Sequence, residues 1–199
     1  MKLTIRLAAL ATFVTIWVAG YALAPSLALW SPTLLAFDPV HHLPILTWFV
    51  VPYLSFYLMP VALFVAMDNV AALRSLAKGL ILIVLVSTAI FIVMPVAIAK
   101  PTITSEWHLG GWLLTAVHTA DTNANCFPSE HVSLATFCAL ALGRLRPTGR
   151  YVWWLWGTLV VLSTVFTRQH YVTDVVGGLA LALVAWRFAK LPKPTARSS

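Results

Sequence analysis

The chain alternates long uncharged apolar stretches with short segments that carry its polar and basic residues. A helix needs about 20 mostly apolar residues to cross the hydrocarbon core of a bilayer. Five stretches approach this length, and a sixth, residues 131–146, spans the membrane only if its polar ends lie among the headgroups. We predict an all-α fold in which a single domain, residues 1–199, holds six transmembrane helices at approximately residues 7–30, 43–67, 79–99, 131–146, 151–167 and 174–188.

The composition supports a membrane protein. Hydrophobic residues make up 60% of the chain and charged residues 10%, with a mean hydropathy of +0.88, whereas soluble domains carry about 25% charged residues. A soluble domain and a disordered chain are therefore excluded. The net charge of +7 would suit a nucleic-acid partner, but the basic residues sit in short clusters between apolar stretches. We expect the lipid bilayer as the partner, and no nucleic acid.

The basic residues also predict an orientation. All but two of the 13 Lys and Arg residues fall at one end of the predicted bundle. By the positive-inside rule that end, with both termini, is cytoplasmic. The external end then holds all but one of the six acidic residues and all six histidines, namely His41, His42, His108, His118, His131 and His170. Interfacial placement alone would account for the first four of these histidines.

The first apolar stretch has a second interpretation as a signal peptide. Lys2 and Arg6 precede it, and the segment 22–24 (Ala-Leu-Ala) resembles a cleavage site. Pro25 directly after that segment disfavours cleavage, and the apolar run continues beyond it, so we predict an uncleaved helix. The compact size and the lack of organelle signals favour a bacterial inner membrane with the site facing the periplasm.

Two polar clusters lie at predicted helix starts on the external side. In the first, Pro128 suits helix entry, Ser129 is a natural N-cap, and His131 follows on the first turn. The free N–H groups of such a helix start can bind an anion. In the second, a spacing of four places His170 and Asp174 on one face of a helix. A carboxylate on one imidazole nitrogen leaves the other available as nucleophile or base.

These clusters resemble the motifs of the type 2 phosphatidic acid phosphatase superfamily of integral-membrane lipid phosphatases and phosphotransferases. The segment 128–131 (Pro-Ser-Glu-His) fits its Pro-Ser-x-His motif, and residues 170–174 (His-Tyr-Val-Thr-Asp), followed by Gly177 and Gly178, fit its His-x-x-x-Asp motif. Lys100-Pro101 stands where the family's first motif ends in Arg-Pro.

The resemblance implies a metal-independent phosphoric monoester hydrolase that acts on a lipid phosphate without a cofactor. It implies that His170 attacks phosphorus and forms a phosphohistidine, that Asp174 orients His170, and that His131 is the general acid and then the general base. It assigns phosphate binding to Lys100, Arg168 and Ser129, and no residue to a metal.

The chain departs from the family pattern at three positions. Val93 replaces a lysine of the first motif, and Thr164 replaces an arginine of the third. Arg168 can substitute for one of these cations, a pattern closer to the branch related to inositolphosphoceramide and sphingomyelin synthases. Phospholipid headgroup transfer is therefore the alternative to hydrolysis. Glu130 is the third departure, because a carboxylate beside a phosphate would repel it unless it is turned away.

Other interpretations stay open. His131 and His170 could be structural or ligate a haem, and the protein could be a channel, transporter or scaffold. Asp174 and Ser129 could serve only as helix caps, and Lys100 and Arg168 as helix-end or headgroup anchors. The segment 106–118 could form an interfacial lid. We expect Cys126 and Cys138 not to pair. The motifs do not identify the lipid, and they do not predict an oligomeric state.

Overall fold

The helices of the computed structural model follow the predicted order along the chain. The structure describes residues 1–103, 109–121 and 124–189. Within these ranges the chain forms two short strands, β1 (Thr33–Leu34) and β2 (Val96–Ala97), and eight α-helices: α1 (Leu3–Leu27), α2 (Val50–Ser55), α3 (Leu58–Ala66), α4 (Val70–Val93), α5 (Leu109–Ala120), α6 (Glu130–Leu145), α7 (Arg150–Phe166) and α8 (Val172–Ala189).

Four helical segments of the described chain are long and apolar enough to cross a membrane: Leu3–Leu27, Thr47–Ala66, Val70–Val93 and Val172–Ala189. The second of these combines a 3₁₀ turn (Thr47–Phe49) with α2 and α3, so the continuous helix predicted at 43–67 is interrupted and starts later. The helices α6 and α7 have 16 and 17 residues, which is short for a span.

The third predicted helix has different bounds in the structure. It starts at Val70, where the side chain of Asn69 accepts a hydrogen bond from the backbone N–H of Ala72 at 2.8 Å, and it ends at Val93 rather than at residue 99. Pro95 accounts for this end, because the residue before a proline is disfavoured in helical conformation. The chain then runs extended through β2, which pairs in parallel with β1, a pairing that the prediction did not include. Lys100 therefore follows an extended segment and does not mark a helix end.

The helix α6 lies at the centre of the bundle. Twelve of its 16 residues are buried, and it packs against α3, α4, α7 and α8. Its start approaches α8 closely at Gly178, where an added Cβ would lie 2.6 Å from the carbonyl oxygen of Ser129. Small residues permit such close packing of membrane helices. The glycine after the His-x-x-x-Asp motif therefore lets the two predicted helix starts come together.

The bundle has two distinct ends. At one end Asp68 lies 3.0 Å from Arg146 and 3.9 Å from Arg6. At the other end Tyr21, near the end of α1, donates a hydrogen bond to Asp121 at 2.6 Å. Arg6 and Tyr21 are 15 positions apart on α1, or about 22 Å. The histidine motifs therefore lie at the end opposite the amino terminus.

Candidate active site

His170 and Asp174 form a buried pair at the start of α8, with 6% and 0% of their surfaces exposed. The Nδ1 atom of His170 lies 3.4 Å from Oδ2 of Asp174 and 3.1 Å from the carbonyl oxygen of Cys126. Because both neighbours are acceptors, the ring proton belongs on Nδ1, which leaves the Nε2 lone pair for chemistry. Oδ2 of Asp174 also accepts a hydrogen bond from the backbone N–H of Tyr171 at 2.8 Å, so this carboxylate both orients His170 and caps the helix.

His131 occupies the first turn of α6, beside His170. The two ring centroids are 5.9 Å apart. The His131 ring stacks on Tyr53 at 4.7 Å and packs against Phe56 at 4.6 Å, and its Nε2 has no hydrogen-bond partner among the described residues. Aromatic packing therefore holds the ring in place and leaves one nitrogen available for proton transfer.

Ser129 connects the two helix starts. Its side chain caps α6 by accepting from the backbone N–H of Val132 at 3.3 Å. Its own backbone N–H donates to the carbonyl oxygen of Asp174 at 3.0 Å. The structure thus brings Ser129, His131, His170 and Asp174 together.

The two predicted phosphate-binding cations have protein partners. Nζ of Lys100 donates to the backbone carbonyl of Asp121 at 3.2 Å and lies 3.6 Å from its carboxylate. Burial lowers the pKa of Lys100, although Asp121 opposes this shift. Arg168 has a φ of 55°, an uncommon conformation for a residue with a side chain, and its guanidinium donates to the carbonyl of Leu43 at 2.8 Å. Neither contact joins these cations to the histidine pair.

Glu130 is turned towards α1. Its Oε2 accepts a hydrogen bond from the indole N–H of Trp17 at 2.7 Å, and the residue is 2% exposed. One carboxyl oxygen is therefore held against α1, which is the turned side chain that the sequence required of a Glu at this motif position. Trp17 gave no sequence signal for this contact.

Asp38 is a functional neighbour that the motifs did not reveal. It is 5% exposed and accepts hydrogen bonds from the backbone N–H groups of Val172 and Thr173, both at 3.0 Å. These groups belong to the first turn of α8, so Asp38 occupies the helix start that carries the Asp174 carboxylate. Although burial opposes it, the backbone hydrogen bonds lower the pKa of Asp38.

We expect Asp38→Asn to destabilise the fold by about 2 kcal/mol at neutral pH, because charge-assisted hydrogen bonds to the α8 start are lost. A lowered folded-state pKa stabilises the fold above the ordinary aspartate pKa of about 3.9, and this stabilisation is lost as the pH falls through the folded value. The difference between the thermal unfolding midpoints of wild type and variant in detergent should therefore stay constant from pH 7 to about pH 4 and shrink as the pH is lowered further. A difference that stays constant down to pH 2 would contradict the assignment.

Two of the other described histidines, His118 and His41, contact backbone carbonyl oxygens. Nε2 of His118, on α5, lies 2.8 Å from the carbonyl oxygen of Thr167, and burial lowers the pKa of His118. Nε2 of His41 lies 3.0 Å from the carbonyl oxygen of Leu35. His108 and Glu106 lie outside the described residues, as does Trp107 between them, so the first three residues of the segment suggested as a lid are not described. The part that is described forms α5.

One group of described residues has donors suited to a metal ion. Ligand atoms of Cys126, His170 and Asp174 lie within 4.8 Å of one another. However, burial raises the pKa of the Cys126 thiol, and the Asp174 and Asp121 carboxylates add to this shift. Because the thiolate is the form that binds metal, an ion bound at this cluster would have to displace the thiol proton. No disulfide joins Cys126 to Cys138, as predicted.

The sequence also resembles known proteins. It is 34% identical over 70 residues to an inositol phosphorylceramide synthase of Candida albicans, which covers 34% of this chain and 15% of that protein. It is 33% identical over 64 residues to the inositol phosphorylceramide synthase catalytic subunit aur1 of Schizosaccharomyces pombe, covering 32% and 15%. The chain thus spans about 15% of the length of these relatives. Both are fungal, so they give no support to the predicted bacterial membrane. No solved structure matches the chain.

The family model of the PAP2 superfamily matches residues 30–188. This range contains Lys100, the segment 128–131 and the segment 170–174, which carry the three motif positions. The resemblance drawn from the motifs is confirmed, including the similarity to the inositolphosphoceramide synthase branch. Since the match covers well over half of its length, the chain belongs to the PAP2 superfamily.

Proposed function

We propose that this protein is an integral-membrane lipid-phosphate phosphatase that works through a phosphohistidine on His170. The observation that carries the proposal is the buried cluster of His131, His170 and Asp174 at two adjoining helix starts. A nucleophile oriented by a carboxylate, with a second base close by, is the arrangement that covalent catalysis requires.

In the first step Nε2 of His170 attacks phosphorus. The P–N bond forms as the bond from phosphorus to the lipid oxygen breaks, and His131 in its protonated form donates a proton to that oxygen. The Asp174 carboxylate stabilises the positive charge on the phosphorylated ring. In the second step His131 takes a proton from water, whose oxygen attacks phosphorus and frees His170. Positioning and charge carry this chemistry, so it needs no metal.

Phosphate binding falls to Lys100, Arg168 and Ser129. A phosphomonoester carries a charge of about −1.5 to −2, which two cations can balance. On binding, the phosphate replaces Asp121 as the partner of Lys100 and the Leu43 carbonyl as the partner of Arg168. Those protein contacts hold both cations in place until substrate arrives.

A second candidate is transfer of a phospho-headgroup to a lipid alcohol. The similarity to inositol phosphorylceramide synthases favours it, as do Val93 and Thr164 in place of the family's cations. In the first step His170 takes the phospho-headgroup from a phospholipid as the bond from phosphorus to the lipid oxygen breaks, so the intermediate keeps the headgroup on phosphorus. In the second step a lipid alcohol rather than water attacks phosphorus and frees His170.

For the membrane arrangement we propose six spans, with α6 and α7 completing the four longer ones and both termini cytoplasmic. Because α6 is enclosed by other helices, it can cross while carrying polar residues. The histidine cluster then faces the external leaflet and takes a lipid phosphate from it.

We expect purified protein in detergent to release phosphate from at least one lipid in a panel of phosphatidate, phosphatidylglycerophosphate and polyprenyl phosphates, with the rate unchanged by EDTA. A parallel assay follows headgroup exchange from labelled phospholipid to added lipid alcohol. Exchange without phosphate release would select the transferase. Loss of activity in EDTA that Zn²⁺ or Mg²⁺ restores would contradict the metal-free mechanism, and no turnover in either assay would overturn the enzyme assignment.

A further inference from the structure

A cavity of about 380 Å³ lies between α1 and α3, with the start of α6 at one end. This volume is within the usual range for small-molecule sites, about 300–1,000 Å³. Its wall is apolar over most of its length, and the apolar side chains include Leu10, Val14, Val18, Pro60 and Val61.

The cavity is polar at one end only. Tyr21, Asp121, Glu130 and His131 lie at the end near the active site, whereas Leu10 lies 11 positions earlier than Tyr21 on α1, or about 16 Å deeper. The rim residues Val14, Val18 and Val61 are 37%, 55% and 40% exposed and belong to segments able to cross a membrane. The cavity therefore opens sideways to the bilayer and suits one alkyl chain whose polar end points to the histidines.

An unpaired oxygen of the Glu130 carboxyl is a second indication that this cavity binds a ligand. Oε2 is bonded to Trp17, but Oε1 is buried without a hydrogen-bond partner among the described residues. A buried polar atom left unpaired is costly, so it indicates a missing partner. A hydroxyl group can donate to this oxygen when Glu130 is ionised and accept from it when protonated. A phosphate oxygen would be repelled by the ionised form.

The position of His131 relates this hydroxyl to the reacting oxygen of the lipid. His131 lines the same cavity as Glu130 and its Nε2 has no hydrogen-bond partner among the described residues, and the proposed function gives His131 the proton exchange with the lipid oxygen. We propose that the cavity binds the alkyl chain of a lipid alcohol, and that Glu130 recognises a free hydroxyl next to the reacting oxygen. Glu130 is then a specificity residue, and this role rests on the proposed function.

The kinetic test compares two substrates with the same acyl chain. One is a monoacylglycerol phosphate with a free hydroxyl beside the phosphate-bearing carbon, and the other is its deoxy analogue. For wild type we expect kcat/KM to favour the hydroxylated substrate by about 10-fold to 100-fold, the effect of one hydrogen bond to a charged group. Glu130→Leu should bring this ratio close to one, and Glu130→Gln, which keeps an acceptor, should retain part of it.

A binding test in the His170→Ala background does not depend on turnover. Versions of both lipids with a diazirine on the acyl chain are photolysed, and the labelled residues are mapped. The hydroxylated probe should label α1 and α3 around Val14 and Val61, and Glu130→Leu should reduce this labelling. A second apolar cavity of about 330 Å³ between α6 and α7, lined by Leu140 and Leu162, is the matched control and should not respond to the variant.

The outcomes separate the two proposals. Phosphate release without a hydroxyl preference, together with labelling that Glu130→Leu leaves unchanged, would overturn the role of Glu130 and keep the phosphatase. Glu130-dependent labelling without release from either lipid would overturn the phosphatase and support the lipid-alcohol site.

Discussion

Replacing His170 with alanine should lower kcat by about 10⁴-fold or more while the protein stays folded, because removal of a nucleophile that acts as part of a unit costs orders of magnitude in rate. Nδ1 of His170 contacts both the Asp174 carboxylate and the Cys126 carbonyl, and the alanine variant loses the oriented ring. The measurement is phosphate release, or headgroup exchange, from the best lipid in the panel.

His42→Ala is the matched control for this variant. His42 is an exposed histidine of the same end of the molecule, and its loss should change the rate by only a few fold. Equal thermal midpoints for wild type and both variants would show that folding is intact. Retention of a tenth or more of the wild-type rate by folded His170→Ala would contradict its role as nucleophile.

Replacing His131 with alanine should have an effect that depends on the leaving group. With a lipid alcohol, whose oxygen needs a proton as it departs, we expect a loss of about 10²-fold to 10⁴-fold. With p-nitrophenyl phosphate, whose leaving group departs as a stable anion, formation of the phosphohistidine should slow far less. Burst kinetics separate this first step from the later attack of water, which also uses His131.

A loss that is equal for both leaving groups would contradict general-acid catalysis by His131. It would instead favour a structural role, in which the ring only fills the space beside Tyr53 and Phe56. Restoration of the alkyl substrate's rate by added imidazole would support proton transfer, since imidazole replaces the function of the side chain and not its packing.

The sequence predicted the parts of the site that depend on local chemistry. Pro128, Ser129 and His131 belong to one helix start, and His170 and Asp174 to another, so spacing alone was enough to place each pair. The close approach of the two helix starts depends on Gly178. The motif predicted a glycine at this position, but the sequence did not show that the glycine is needed for helix packing. Here sequence and structure agree because a few consecutive residues determine the geometry.

The long-range contacts could not be predicted from a single sequence. Asp38 reaches the start of α8 across 134 positions, and Trp17 reaches Glu130 across 113, with no periodicity to connect them. The extent of the third helix was wrong for another reason. The prediction used absence of charge, which measures compatibility with lipid and not helical conformation. The predicted range 79–99 therefore runs past Pro95 and begins only after Arg74 and Lys78, which lie inside α4.

The position of Glu130 connects the fold to the chemistry. A carboxyl group at this position contacts α1 through Trp17, and α1 forms one wall of the cavity that leads to His131. If the cavity binds the lipid as proposed, a helix outside the three motifs takes part in binding, and variation in α1 would change which lipid is accepted without changing the reaction.

The most direct test of the mechanism is to trap the intermediate. His131→Ala enzyme in detergent is mixed with p-nitrophenyl phosphate for a single turnover, denatured at alkaline pH, where phosphohistidine survives, and digested for mass spectrometry. A phosphoryl group on His170, absent from the His170→Ala His131→Ala double variant, is the expected result. Release of p-nitrophenol in step with phosphate, with His170 unmodified at every time point, would contradict covalent catalysis by this histidine.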